Sequence, residues 1–164
     1  MFEEVVETAL RNPHVIATTT AVFGILLWAA DRLGGRRRTL ETLRWSDALL
    51  IGLAQAMALV PGVSRAGVTM TAARALGLDR RSAVRFSFLL AIPVILGASV
   101  FKAIDLIGSP QAMFWYVFGL GVVVSACSAW CVLVVFLRVI EKSGVLVFVL
   151  YRLLLAAFLF YWFQ

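Results

Sequence analysis

The fold is decided by the stretch SDALLIGLAQAMALVPGVSRAGVTMTAARALGL, residues 46–78. It is largely apolar, but Pro61 and Gly62 interrupt its middle and divide it into two pieces, 46–60 and 64–78. At 1.5 Å per residue, a helical piece of about 15 residues is about 22 Å long, whereas the hydrocarbon core of a bilayer is about 30 Å thick. Neither piece is therefore predicted to cross a membrane alone.

The remainder of the chain predicts a membrane protein. Hydrophobic residues make up 62% of the sequence and charged residues only 15%, which is far from the composition of a soluble globular protein. Four segments are long and apolar enough to span a bilayer: 14–33, 86–104, 114–137 and 145–163. We predict an all-α, multi-pass helical bundle that forms a single integral membrane domain over residues 1–164.

The positive charges predict how the interrupted stretch is arranged. Clusters of arginine and lysine follow the first span, precede the second and separate the third from the fourth. If all three clusters face the cytoplasm, residues 46–78 begin and end on the same side of the membrane, as a re-entrant helical hairpin does. The net charge of +6 does not form a basic face with interleaved aromatic residues, so nucleic acid is not a predicted partner.

The helix break also predicts an anion-binding site. Backbone groups freed by a break inside a membrane must be buried in protein or face a wet cavity. Ser64 is suited to cap the second half-helix, whose free N–H groups attract an anion, and Arg65 can bind a phosphate through two parallel hydrogen bonds. Thr69 lies one turn after Arg65, and Gly67 leaves room for a ligand. A lipid-attached phosphate is the favoured ligand; the alternative is a structural kink in which Arg65 pairs with a carboxylate.

Three motifs resemble one known family. They are ALLIGLAQAMALVPGVSRAGVTM at 48–70, FSFLLAIP at 86–93 and the Tyr151-Arg152 pair, and together they resemble the undecaprenyl-diphosphate phosphatases, the bacitracin-resistance phosphatases of the bacterial cytoplasmic membrane. The resemblance implies hydrolysis of the C55 polyprenyl diphosphate to the monophosphate, which recycles the lipid carrier for peptidoglycan synthesis. It also implies two inverted-topology repeats, each with a re-entrant pair.

The resemblance also implies roles for individual residues. The family's Pro-Gly-x-Ser-Arg-Ser-Gly-x-Thr pattern falls on residues 61–69 and implies a catalytic set: Ser64 as nucleophile or positioner of water, Arg65 as clamp and Thr69 as part of the cradle. A second set is expected to bind substrate: Gln55, Gly62, Gly67 and Arg152. For Arg152, near the centre of the last span, the alternative is a pairing with backbone carbonyls or a carboxylate.

This sequence departs from the family pattern at two places. The second serine of the pattern is Ala66, and the glutamate-rich motif of the family's earlier half is missing. The chain is therefore expected to match the last helix of the first repeat and all of the second. The divalent cation that the family implies, Mg²⁺ or Ca²⁺, is expected to find no ligands in this chain, so no metal site is predicted.

Two further possibilities arise from the missing motif. The expected partners are the bilayer, a polyprenyl diphosphate and either a missing N-terminal half or a second copy of the chain. The alternative function is a non-catalytic protein that binds a lipid phosphate or moves it across the bilayer.

The other polar residues are given structural roles. His14 is expected at the membrane interface, and the glutamates at 3, 4 and 7 on a solvated helix face. Asp47 and Arg74 are expected to be solvated at the hairpin ends. Cys127 and Cys131 are expected to be buried packing residues.

Overall fold

The computed structural model describes residues 12–35, 38–107 and 115–163. Within these ranges the secondary structure is helical, which confirms the all-α prediction. The helices in chain order are α1 (Pro13–Leu33), α2 (Trp45–Ala56), α3 (Arg65–Ala75), α4 (Arg80–Ile107), α5 (Trp115–Ser143) and α6 (Leu146–Trp162). Short 3-10 turns, Leu40–Thr42 and Met57–Leu59, precede and follow α2.

Three of the described helices contain segments long and apolar enough to cross a membrane: Pro13–Leu33, Arg80–Ile104 and Tyr116–Ile140. These helices are long and apolar and expose many large hydrophobic side chains, which makes the chain a membrane protein. The fourth predicted span, 145–163, corresponds to α6, whose 17 residues give a helix of about 25 Å. Helix α4 begins before its predicted span and α5 continues after its own, so both apolar helices extend into the neighbouring charged segments.

The stretch 46–78 is a helical hairpin. Helix α2 ends at Ala56, the chain turns through residues 57–64, and α3 begins at Arg65. The two ends of the hairpin lie close together, because Arg38 bonds to both: its N–H donates to the carbonyl of Gly77 at 3.2 Å, and its guanidinium donates to the carboxylate of Asp47. A re-entrant segment requires this arrangement, and its depth in a bilayer stays a prediction.

A buried ion cluster fixes the base of the hairpin to α1. Arg74, with 0% of its surface exposed, donates from Nε to Asp31 at 3.0 Å. Arg80 donates to the other oxygen of Asp31 at 2.6 Å. The prediction that Arg74 is solvated is wrong, because α1 brings a carboxylate to it from outside the hairpin.

Asp47 is also buried, contrary to the sequence prediction. It accepts hydrogen bonds from the guanidinium of Arg38 and from the N–H of Arg44, the latter at 3.0 Å. The hydrogen bond to Asp47 raises the pKa of Arg38 above its ordinary value. The segment before α2 therefore folds back over the start of that helix and covers the carboxylate.

The apolar core surrounds α3. One cluster of buried residues joins α1, α3, α4, α5 and α6: Leu27, Met70, Val84, Ile140, Val145 and Val149. A smaller cluster joins α2 and α3 to the start of α4: Ile51, Ala73, Leu78 and Ala83. The hairpin is thus packed from both sides, which fixes the position of its turn.

Helix α5 contributes little to this core along its first half. Every described side chain from residue 116 to residue 132 is exposed, including those of Cys127 and Cys131. The prediction that the cysteines are buried is wrong, because both side chains lie on an exposed face of α5 in the described structure.

Candidate anion-binding site

The turn between α2 and α3 has an unusual backbone. Gly62 has φ +88°, in the region that favours glycine, and Ser64 has φ +68° and ψ 116°. A positive φ is uncommon for a residue with a β-carbon and often marks a functional position. Ser64 is the N-cap of α3, as its place in the sequence predicts, and its Oγ accepts the N–H of Gly67 at 3.3 Å.

This geometry leaves free donors at the start of α3. Within the described residues, the N–H groups of Ser64, Arg65 and Ala66 donate no hydrogen bond, whereas the N–H of Val68 already donates to the carbonyl of Ser64 at 3.0 Å. The free N–H groups lie at the positive end of the helix dipole. They can therefore hold the oxygens of an anion.

Arg152 enters the turn from α6. Its side chain is only 3% exposed, and Nη2 donates to the carbonyls of Gly62 at 2.6 Å and Val63 at 3.0 Å. The sequence left open whether Arg152 binds substrate or pairs with carbonyls. The structure shows the carbonyl contacts, but they use Nη2 only, and the buried Nη1 has no partner among the described residues.

Gly67 makes room for that free guanidinium nitrogen. A β-carbon on Gly67 would stand 2.5 Å from Nη1 of Arg152 and 3.3 Å from Oγ of Ser64. Nη1 of Arg152 and Oγ of Ser64 therefore both lie next to the position that a side chain on Gly67 would take. The predicted space for a ligand at this glycine is occupied in part by Arg152.

The other predicted residues are distributed around the turn. The side chain of Arg65 is exposed and has no hydrogen bond or ion pair within the described ranges, so no carboxylate there accounts for it. Thr69 is fully buried, and its Oγ1 lies 2.9 Å from Oγ of Ser87 on α4. The structure thus does not bring the Thr69 hydroxyl to the exposed surface that carries Arg65. The Oε1 of Gln55, near the end of α2, is buried without a described partner.

Two residues of the turn's surroundings were missed by the sequence analysis. Oγ1 of Thr19 donates to the carbonyl of Pro61 at 2.6 Å, and Oγ1 of Thr20 donates to the carbonyl of Gly62 at 3.2 Å. The sequence feature that could have indicated these contacts is the run of three threonines, 18–20, inside an otherwise apolar span. Its partners lie 42 positions away, so local pattern could not identify them.

The donors of the turn do not fit a metal ion. Backbone N–H groups and the guanidinium groups of Arg65 and Arg152 attract anions and repel a cation. In the part of the chain that the structure describes, no three His, Cys, Asp or Glu side chains lie together as metal ligands. Glu3, Glu4 and Glu7 lie outside the described residues. The divalent cation stays a prediction.

The chain matches a known protein family over most of its length. The bacitracin resistance protein BacA family matches residues 1–158. The chain belongs to this family. Similar curated proteins are named undecaprenyl-diphosphatase: one from Alcanivorax borkumensis is 51% identical over 160 residues, and one from Teredinibacter turnerae is 51% identical over 160 residues. Each of these two alignments covers 98% of the chain.

The chain matches only part of these BacA-family relatives. It spans 60% of the Alcanivorax protein and 61% of the Teredinibacter protein. A third relative, the undecaprenyl-diphosphatase of Nitrosococcus oceani, is 48% identical over 164 residues, which is 100% of the chain and 62% of that protein. The relatives therefore contain further sequence that this chain does not match.

Proposed function

We propose that the chain forms the diphosphate-binding part of an undecaprenyl-diphosphatase in the bacterial cytoplasmic membrane. The reaction is the hydrolysis of undecaprenyl diphosphate to undecaprenyl phosphate and phosphate, which recycles the lipid carrier for cell-wall synthesis. Membership of the BacA family and the names of the relatives support this proposal. The anion-binding character of the turn supports it independently.

One observation carries the proposal: Nη1 of Arg152 is buried without a partner among the described residues, beside the free N–H groups that begin α3. A buried charge without a counter-ion is unfavourable, and a phosphate oxygen would satisfy it. Arg65, exposed at the same helix end, can add a second guanidinium to a ligand that carries two phosphate groups. A diphosphate head group matches this donor set.

In the proposed reaction, water attacks the terminal phosphorus. The bond between that phosphorus and the bridging oxygen breaks, and the bridging oxygen leaves with the polyprenyl phosphate. Arg65, Arg152 and the amides of the turn stabilise the negative charge on the phosphate oxygens. The contacts of Ser64 favour a role in positioning the water, because no described carboxylate or imidazole contacts Oγ to remove its proton.

The remaining catalytic groups are proposed to come from outside the described residues. A missing N-terminal half or a second copy of the chain would supply the base and the ligands of the divalent cation. We derive no step through the cation, since the residues at the turn do not fit it. Gln55 keeps its predicted role in substrate binding in this proposal. Thr69 is fully buried, so its proposed role is indirect, through its contact with the carbonyl of Arg65 at 2.9 Å.

The test measures binding and phosphate release separately. The purified chain in detergent is titrated with undecaprenyl diphosphate, and phosphate release is followed with and without Mg²⁺ and Ca²⁺. We expect Arg65→Ala and Ser64→Ala to weaken binding, whereas Arg85→Ala, which removes another exposed arginine, should not. Binding without release in every condition would assign the alternative, non-catalytic role. No binding by the wild-type chain would contradict the proposed site.

A further inference from the structure

Three consecutive carbonyl groups of the turn, those of residues 61–63, are anchored by side chains from other helices. The carbonyl of Pro61 accepts from Oγ1 of Thr19, and that of Val63 accepts from Arg152. The carbonyl of Gly62 accepts from both Thr20 and Arg152. Helices α1 and α6 thus hold three consecutive carbonyls from one side.

This anchoring determines where the amides of the turn point. No peptide of the turn is cis, and in a trans peptide the C=O and the N–H point in opposite directions. Carbonyls directed at α1 and α6 therefore turn the N–H groups of Gly62 and Ser64 away from those helices. The N–H of Val63 is used within the turn, where it donates to the carbonyl of Val60 at 3.3 Å. The N–H of Ser64 joins the free donors at the start of α3.

The contact between α1 and the turn is too close for ordinary side-chain packing. A β-carbon on Gly62 would stand 2.2 Å from Oγ1 of Thr19 and 3.0 Å from Oγ1 of Thr20. The carbonyl oxygen of Ile16 would be 2.5 Å away, so the backbone of the turn rests directly on the two hydroxyl groups and on the backbone of α1. Thr20 is only 5% exposed, so water cannot easily replace its hydrogen bond.

We propose that Thr19 and Thr20 are positioning residues of the anion-binding turn. Their hydroxyls hold the carbonyls of Pro61 and Gly62, so that the amides at the start of α3 face the diphosphate without reorganising when it binds. This inference rests on the proposed function. It adds α1 to a site otherwise formed by the hairpin and α6.

The threonine run supplies its own control. Thr19→Val and Thr20→Val remove the hydroxyls and keep the side-chain shape, whereas Thr19→Ser and Thr20→Ser keep the hydroxyls. Thr18 is exposed, and its hydroxyl bonds to the carbonyl of His14 in its own helix at 2.7 Å. Thr18→Val therefore removes a threonine hydroxyl from α1 without touching the turn.

Two measurements on the purified chain test the inference: affinity for undecaprenyl diphosphate, and hydrogen exchange of the peptide that covers residues 60–67. Each valine variant should weaken binding about fivefold, the effect of losing one hydrogen bond, and the double variant about 25-fold. Exchange in the turn should accelerate while exchange in α4 stays unchanged. Both serine variants and Thr18→Val should bind within about twofold of wild type, since surface and conservative changes have small effects.

Two results would overturn the inference. One is wild-type binding and exchange in the double valine variant. The other is weaker binding with accelerated exchange throughout the chain and no rescue by serine, which would indicate a general packing role. A failure of the proposed function looks different: the wild-type chain would not bind the diphosphate, although the valine variants still accelerate exchange in the turn. In that case the threonines order the turn, and the diphosphate is the wrong ligand.

Discussion

Arg74 and Arg152 are both buried in the helical bundle, at the two ends of the α2–α3 hairpin, but their surroundings differ. Arg74, at the base, pairs with Asp31 and also donates to backbone carbonyls, including that of Asp31 at 3.0 Å. Arg152, at the turn, donates to two carbonyls from one nitrogen and has no described carboxylate beside it. A buried ion pair makes the fold depend on both of its partners, because removing one leaves the other charge uncompensated, whereas a buried charge without a counter-ion favours the binding of an anion. The base of the hairpin is therefore structural and the turn is the ligand site.

The largest expected effect is a loss of stability when the ion cluster at the base of the hairpin is broken. Asp31→Asn removes the carboxylate that both Arg74 and Arg80 contact, and the buried Arg74 loses this charge partner. We expect the free energy of unfolding to fall by about 3–5 kcal/mol, measured by denaturant titration in detergent. Glu41→Gln, a neutralised carboxylate at an exposed position, is the control and should change it by less than about 0.5 kcal/mol. Equal losses in the two variants would contradict the structural role of the base.

The second prediction concerns the turn, where the expected effect is on the affinity for the ligand. Arg152→Met replaces the guanidinium with an unbranched apolar side chain and so removes the charge. We expect the affinity for undecaprenyl diphosphate to fall about 10- to 100-fold, because hydrogen bonds to charged groups contribute about 1.5–3 kcal/mol. The measurement is a binding isotherm, with Arg138→Met, an exposed arginine on α5, as control. A variant that binds as tightly as wild type would remove Arg152 from the site.

The third prediction concerns the exposed arginine of the same site. Arg65→Ala should weaken diphosphate binding about tenfold, corresponding to about 1.4 kcal/mol, through loss of one charge-assisted contact. The free energy of unfolding should stay unchanged, because Arg65 has no partner within the described residues. If unfolding changes and binding does not, Arg65 serves the fold rather than the ligand.

The smallest expected effect tests the backbone of the turn. Ser64→Ala loses the N-cap hydrogen bond and keeps a β-carbon at φ +68°, whereas Ser64→Gly loses the same bond but relieves the positive φ. The glycine variant should be more stable than the alanine variant by about 1 kcal/mol. Thermal or denaturant unfolding of both variants checks the order. An alanine variant at least as stable as the glycine variant would show that the turn relaxes.

Sequence reasoning located the hairpin and the turn because both have local causes. Pro61 and Gly62 break the helix, and Ser64 is placed to cap the half-helix after the break, so the break and the N-cap could be predicted from adjacent residues. The family resemblance added the expectation that Arg152 takes part. These features depend on the order of residues along the chain.

The contacts that complete the site depend on helix packing and could not be predicted. Thr19 and Thr20 contact carbonyls 42 positions away, and Asp31 covers Arg74 from 43 positions away. Thr69 faces Ser87 instead of Arg65's guanidinium because α4 packs on that side of α3. A helical pattern shows which residues share a face, but it does not show which neighbouring helix covers that face.

Amide chemical shifts of the labelled chain test the central claim most directly. The N–H signals of Ser64, Arg65 and Ala66 are followed while undecaprenyl diphosphate is added, with the amide of Gly77, which donates to the carbonyl of Arg74 at 3.0 Å, as the internal control. If the turn binds the diphosphate, the three signals move downfield and saturate with the binding isotherm, while that of Gly77 stays in place. Saturable binding that leaves the three signals unmoved would contradict the account.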